Sequence, residues 1–225
     1  ALSIYRDWYG EQHYETAASL TMLGRTLIPQ GKLKEASQVL TRALTIREHV
    51  FGPDHPSVAS TLNEIARVAQ KEKRFDAAEA GYRAILAKQP SQPDAIVGLA
   101  AILAGKGETA AAEDLLDRAP TDRRAKILKH RIFLNGFAEK HAGEDLESAA
   151  AANPRNPRDR YRWGVMLAAR EQYEDALDEL VESVRIDRTF ADGAARKAML
   201  AIFDILGLDS EVTKDYQRRL SGALF

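Results

Sequence analysis

The feature that most constrains this chain is a long internal repeat. The run Ala1-Leu2-Ser3-Ile4, followed by Tyr9-Gly10-Glu11-Gln12-His13, returns 42 residues later as Ala43-Leu44-Thr45-Ile46, followed by Phe51-Gly52-Pro53-Asp54-His55. The same offset carries Leu23-Gly24 onto Ile65-Ala66, Leu33 onto Phe75, Ala36 onto Ala78 and Leu40 onto Tyr82. A period of this length means that each unit is one supersecondary element, able to bury its apolar side only against a neighbour. Each unit reads as helix, turn, helix. Gly24 and Ala36 fall one on each helix of a hairpin, where bulkier side chains would hold the helices apart, and Leu33 and Leu40 fill the space beside them. Gln30-Gly31-Lys32 supplies the turn, because glycine enters the left-handed region without steric penalty. Pro29 ends the preceding helix.

From Ala66 onward the period shortens to 34: Ala66, Ala78 and Tyr82 are matched by Ala100, Ala112 and Leu116, with Gly107 in the turn between. That is the tetratricopeptide spacing. A later unit places Trp163-Gly164, Leu167, Tyr173, Ala176 and Leu180 in the same relative positions, and Pro93 and Pro157 stand where a first helical turn needs no amide donor. Residues 121–152 read as a less regular helical hairpin around Ile127, Leu128, Ile132, Phe133 and Phe137. Two closing helices follow, one through Ala195, Met199, Ile202 and Phe203, the other through Val212, Tyr216, Leu220 and Leu224. No alternating run is long enough for a strand. The expected fold is all-α: a right-handed superhelix of antiparallel helix hairpins with C-terminal capping helices.

The two parts resemble different families. Ala43-Leu44-Thr45-Ile46-Arg47-Glu48, Phe51-Gly52-Pro53-Asp54-His55-Pro56 and Thr61-Leu62-Asn63 make residues 1–86 similar to the tetratricopeptide repeats of kinesin light chains. The departures are Tyr14 and Thr21, where the second unit has Pro56 and Asn63. This resemblance implies a concave groove for peptides; cargo or motor association does not follow from it. Gly98-Leu99-Ala100, Leu115-Leu116-Asp117-Arg118-Ala119-Pro120, Ala151-Ala152-Asn153-Pro154, Arg185-Ile186-Asp187-Arg188 and Asp192-Gly193-Ala194-Ala195 onward to Phe225 resemble the C-terminal half of YbbN (CnoX) co-chaperones. That likeness covers about residues 80–225 and implies client or chaperonin binding. In that family a thioredoxin-like domain precedes these helices, so the chain also reads as a chimera of two sources, an engineered scaffold without a native ligand. The two regions are taken as 1–86 and 87–225.

Composition narrows the chemistry. There is no cysteine, which removes disulfides, thiolate metal sites and thiol nucleophiles. The 32 basic and 33 acidic residues give a net charge of −1, without the basic excess of a general nucleic-acid binder. No apolar run approaches the roughly 20 residues of a membrane span, and no basic-then-apolar leader is present, so a cytoplasmic location is expected. Of the histidines, none pair at metalloprotease spacing, and His13 and His55 occupy equivalent loops suited to capping. Gly105-Lys106-Gly107-Glu108-Thr109 lacks the outlying glycine and the hydroxyl of a phosphate loop and reads as a turn. An enzyme, a metal and a cofactor are therefore not expected. Arg123, Arg124, Lys126, Lys129, His130 and Arg131, and again Arg155, Arg158, Arg160 and Arg162, form basic clusters that read as solvated faces answered by nearby carboxylates.

The binding surface is expected on the first helix of each unit, three residues before and one after the small packing residue. This selects Thr21 and Arg25, Asn63 and Arg67, Val97 and Ala101, and Tyr161 and Val165. Asparagine can hold an extended backbone and arginine an acidic group, so the N-terminal groove should prefer an acidic peptide. The terminal helix, residues 211–225, is expected to cap the repeats. The YbbN resemblance adds chaperonin docking through Leu220, Leu224 and Phe225. A monomer is expected, because a polar cap leaves no sticky end.

Overall fold

The protein is described from a computed structural model, which covers residues 12–224. Among these residues there are twelve helices and no strand. They gather into two compact units, one ending at Pro120 and the other starting at Thr121. The all-helical repeat architecture is as expected. Residues 86 and 87 fall inside the first unit, where the packing of one hairpin on the next continues across them.

The first unit holds three hairpins: α1 (Tyr14–Leu27) with α2 (Leu33–Phe51), α3 (Pro56–Lys71) with α4 (Phe75–Lys88), and α5 (Pro93–Gly105) with α6 (Thr109–Leu116). The first two hairpins also pack their second helix on the next first helix, and α1, α3 and α5 touch in sequence. The first helices thus form a continuous row. Small residues set the approach: a β-carbon at Gly24 would lie 2.5 Å from Leu40 Cγ, and Ala36 is fully buried. Leu27, Ile28, Leu40 and Val68 fill one buried cluster, and Ala17, Leu20, Ala43 and Ile46 another.

The second unit contains α7 (Arg123–Lys140), α8 (Leu146–Ala152), α9 (Pro157–Ala169), α10 (Tyr173–Ile186), α11 (Phe190–Leu206) and α12 (Glu211–Leu224). Helix α9 is its hub, touching α7, α8, α10 and α11. A β-carbon at Gly164 would meet Leu180 Cγ at 2.8 Å, the counterpart of the Gly24–Leu40 contact. One core runs through Val165, Leu177, Leu180, Met199, Ile202, Phe203, Tyr216 and Leu220. In α11 the residues Ala191, Asp192 and Gly193 take left-handed dihedrals, so its regular helical run starts after them.

Helix starts follow side-chain chemistry. His13 and His55 each accept a backbone N–H through Nδ1, from Glu15 at 3.3 Å and from Ser57 at 3.1 Å, satisfying donors that the helix leaves open. Asn156 caps α9 in the same way, and Pro56, Pro93 and Pro157 open their helices. Four hairpin turns share one solution. Gly31, Lys73, Gly107 and Glu171 all have positive φ, and the residue after each donates back to the carbonyl five residues earlier.

Candidate peptide groove

The row α1–α3 brings together charged groups that are far apart in the chain. Arg25 on α1 donates from Nε to Glu64 Oε1 at 2.8 Å, across 39 residues, and from a terminal nitrogen to Ser60 Oγ at 3.3 Å. Arg67, one turn on from Glu64 along α3, donates to its other oxygen, Oε2, at 2.7 Å. Glu64 is 3% exposed, whereas the side chains of Arg25 and Arg67 are 43% and 48% exposed. One buried carboxylate therefore fixes two half-exposed guanidiniums.

A third arginine lies below. Arg47 on α2 donates to the Ser57 carbonyl at 2.8 Å and to Thr61 Oγ1 at 2.7 Å. Burial first, and then the charge of Arg25, pull its guanidinium below the ordinary arginine value. Arg47 thus adds another guanidinium charge beside the Arg25–Glu64 pair.

The expected groove residues separate into two sets. Arg25 and Arg67, each one position after the small residue, are on the surface. Thr21 and Asn63, three positions before it, are buried: Thr21 donates its hydroxyl to the Ala17 carbonyl at 2.9 Å, and the Asn63 carbonyl oxygen is sealed from solvent without a hydrogen-bond partner. They form the floor of this face, not its contact surface. Val97 and Ala101 on α5 are half-buried, while Val165 is fully buried in the second unit's core. Tyr161, also in the second unit, stands in an aromatic row with Phe137 at 6.4 Å and Phe190 at 5.9 Å between ring centroids, and burial pushes its phenol up.

Glu64, Ser60 and Arg47 were outside the sequence expectation. Glu64 could have been suspected from its three-residue spacing to Arg67, but nothing local points from it to Arg25.

The terminal helix presents a different surface from the one expected for docking. Leu220 is 6% exposed and packs in the core with Tyr216. The Tyr216 hydroxyl donates to Asp178 Oδ1 at 2.8 Å, and Arg219 pairs with the same carboxylate at 2.6 Å while stacking over the Tyr216 ring. So α12 turns its apolar side inward onto α10 and leaves Lys214, Gln217 and Arg218 outside. Leu220 is corrected from a docking anchor to a core residue. Phe225 and the side chain of Leu224 lie outside the described residues.

The basic clusters are answered by acids. Arg124 pairs with Asp122, His130 with Asp204 at 3.1 Å, Arg160 with Glu179 at 2.7 Å and Arg162 with Glu144. Lys106, in the glycine-flanked turn, binds Asp76 at 3.1 Å and Glu79 at 2.8 Å. Among the described residues no three His, Asp or Glu side chains converge as a metal site, and no helix is long and apolar enough to cross a membrane.

Three family models, each described as a tetratricopeptide repeat, match residues 16–57, 69–127 and 137–225. Cellulose synthase operon protein C of Pseudomonas fluorescens is 30% identical over 158 residues, which cover 63% of this chain and 12% of that protein. Nephrocystin-3 of Xenopus laevis is 43% identical over 75 residues, 33% of this chain and 6% of that protein. The chain therefore spans only a small part of the length of these relatives. Among solved structures, PilF of Pseudomonas aeruginosa superposes with a TM-score of 0.50 at 21% identity, covering 91% of this chain and 97% of that one, a likeness of fold.

Proposed function

We propose that this chain, which is a tetratricopeptide-repeat protein and hence a protein-interaction module, binds an extended acidic segment of a partner protein along the α1–α3 face of its first unit. One observation carries the reading: Arg25 and Arg67 grip opposite oxygens of the buried Glu64 and keep their remaining donors at the surface. A guanidinium has five donors in a flat fork, so a group already bound to one carboxylate can still serve a second. Fixing both forks in advance lowers the ordering cost of binding. Arg47 beneath adds positive charge that a partner carboxylate would relieve. Thr21 and Asn63 act as the floor that sets the depth of this face, and Tyr161 belongs to a separate aromatic surface on the second unit.

The reading is tested by fluorescence anisotropy with a labelled peptide alternating glutamate and serine and its glutamine counterpart. The glutamate peptide is expected to bind with a dissociation constant on the order of 10–100 μM, weakening as salt is raised. Equal binding of the glutamine peptide would overturn the acidic preference.

A co-chaperone role rests on the resemblance of residues 80–225 alone. With Leu220 packed inward, chaperonin docking on α12 would have to use the charged side around Lys214 and Arg218. Failure of both the peptide and a chaperonin to bind would favour the alternative, a chimeric scaffold without a native ligand.

A further inference from the structure

In the second unit, α8 has seven residues and α10 has fourteen, so the two helices that flank α9 cover it unequally. The uncovered part of α9 floors a cavity of about 400 Å³, walled by Trp163 of α9, Arg170 just past its end, Glu147 of α8, and Asp175, Asp178 and Glu179 of α10. The volume lies at the small end of the range of ligand sites and suits one long side chain.

The charges around it are unbalanced. Asp178 is held by Arg219 at 2.6 Å and Glu179 by Arg160 at 2.7 Å. Among the described residues no ion pair reaches Glu147 or Asp175. With Arg160 and Arg219 counted as the partners of two of its carboxylates, and Arg170 in its wall, three guanidiniums stand against four carboxylates. The indole meanwhile already attracts a cation: the Arg170 guanidinium stands 5.4 Å from the Trp163 ring centroid.

We propose that this cavity receives an arginine side chain from a partner protein, the guanidinium lying against the Trp163 indole and pairing with Asp175 and Glu147. One added positive charge balances the local set. A flat guanidinium fits both an aromatic face and a carboxylate, which an ammonium does less well. Arg170 shows the geometry from inside the chain, standing over the same ring. The site lies wholly in the second unit and stands independently of the acidic-peptide face of the first.

The test uses the full chain labelled with nitrogen-15 and carrying Trp8→Phe, which leaves Trp163 as the single indole of the two in the sequence. Acetyl-Gly-Arg-Gly-amide and its citrulline counterpart are titrated in. The Trp163 indole resonance is expected to move saturably with the arginine peptide, with a dissociation constant of order 1 mM, and to bind the citrulline peptide at least about tenfold more weakly. Asp175→Asn and Glu147→Gln, both at exposed positions, should each weaken the arginine peptide by about threefold or more with an unchanged melting temperature. Equal affinity for the two peptides, no effect of either substitution, or no saturable shift up to roughly 20 mM would each overturn the assignment.

Discussion

The ring of Tyr82 occupies the space that a β-carbon on residue 98 would need: such a carbon would lie 2.3 Å from Tyr82 Cζ. Tyr82 is 1% exposed. This contact joins α4 to α5 across residues 86 and 87. Gly98→Ala is expected to lose about 1–3 kcal/mol through overpacking, offset by roughly 1 kcal/mol of helix propensity. Gly136→Ala, where a β-carbon would meet nothing within 4 Å, should gain about 0.5–1 kcal/mol. Urea unfolding of the two variants should move in opposite directions.

Lys73 and Glu171 hold left-handed turns at φ of 60° and 61°, in the places where the other hairpins have Gly31 and Gly107. Side chains with a β-carbon are strained there by about 1–2 kcal/mol. Lys73→Gly and Glu171→Gly are each expected to raise stability by about 0.5–1 kcal/mol, after the larger unfolded-state entropy of glycine is set against that relief. The loss of the exposed Arg131–Glu171 pair at 3.7 Å counts for little. Thermal unfolding of the single and double variants measures the effect.

How much of this was legible in the sequence depended on whether the determinant was local. Pro93 and Pro157 marked helix starts, and Gly31 and Gly107 marked turns, because those residues carry their backbone preference wherever they occur. Lys73 adopts the same conformation without announcing it; only its place 42 residues after Gly31 points there. In the groove, periodicity selected Arg25 and Arg67 but missed Glu64, since its partner Arg25 is brought to it by the packing of α1 on α3. For α12 the four-residue spacing of Val212, Tyr216 and Leu220 indicated an apolar side, but spacing does not say what covers it. The structure supplies α10 and α11.

His55 caps α3 through Nδ1, which accepts from the Ser57 amide. His55→Ala is expected to cost about 1 kcal/mol, and His55→Asn to retain most of the stability. A parallel pair at His13 should behave alike at the start of α1. Chemical denaturation of the four variants separates lost capping from lost ring stacking with Phe51, at 4.5 Å from His55, because asparagine restores only the former.

Burial pushes the Tyr82 phenol up to about 12, from its ordinary value near 10. The folded state therefore favours the neutral phenol. Its contribution is fully present below about pH 10 and falls as the pH rises toward 12, by about 2–3 kcal/mol in all. Tyr216 is pushed up to about 12 as well, by burial and then by its hydrogen bond to Asp178. Stability measured across this range should fall less steeply for Tyr82→Phe than for the unaltered chain, and the tyrosinate absorbance of the folded protein should lag behind that of the unfolded one.

Backbone amide shifts read directly whether an acidic segment lies on the α1–α3 face. On titration with the glutamate–serine peptide, the largest changes are expected at Arg25, Ser60 and Arg67, with those of α12 unmoved. Arg25→Ala combined with Arg67→Ala, in a chain whose circular dichroism is unchanged, should abolish them. Shifts concentrated on α12, or shifts that survive the double substitution, would contradict the account.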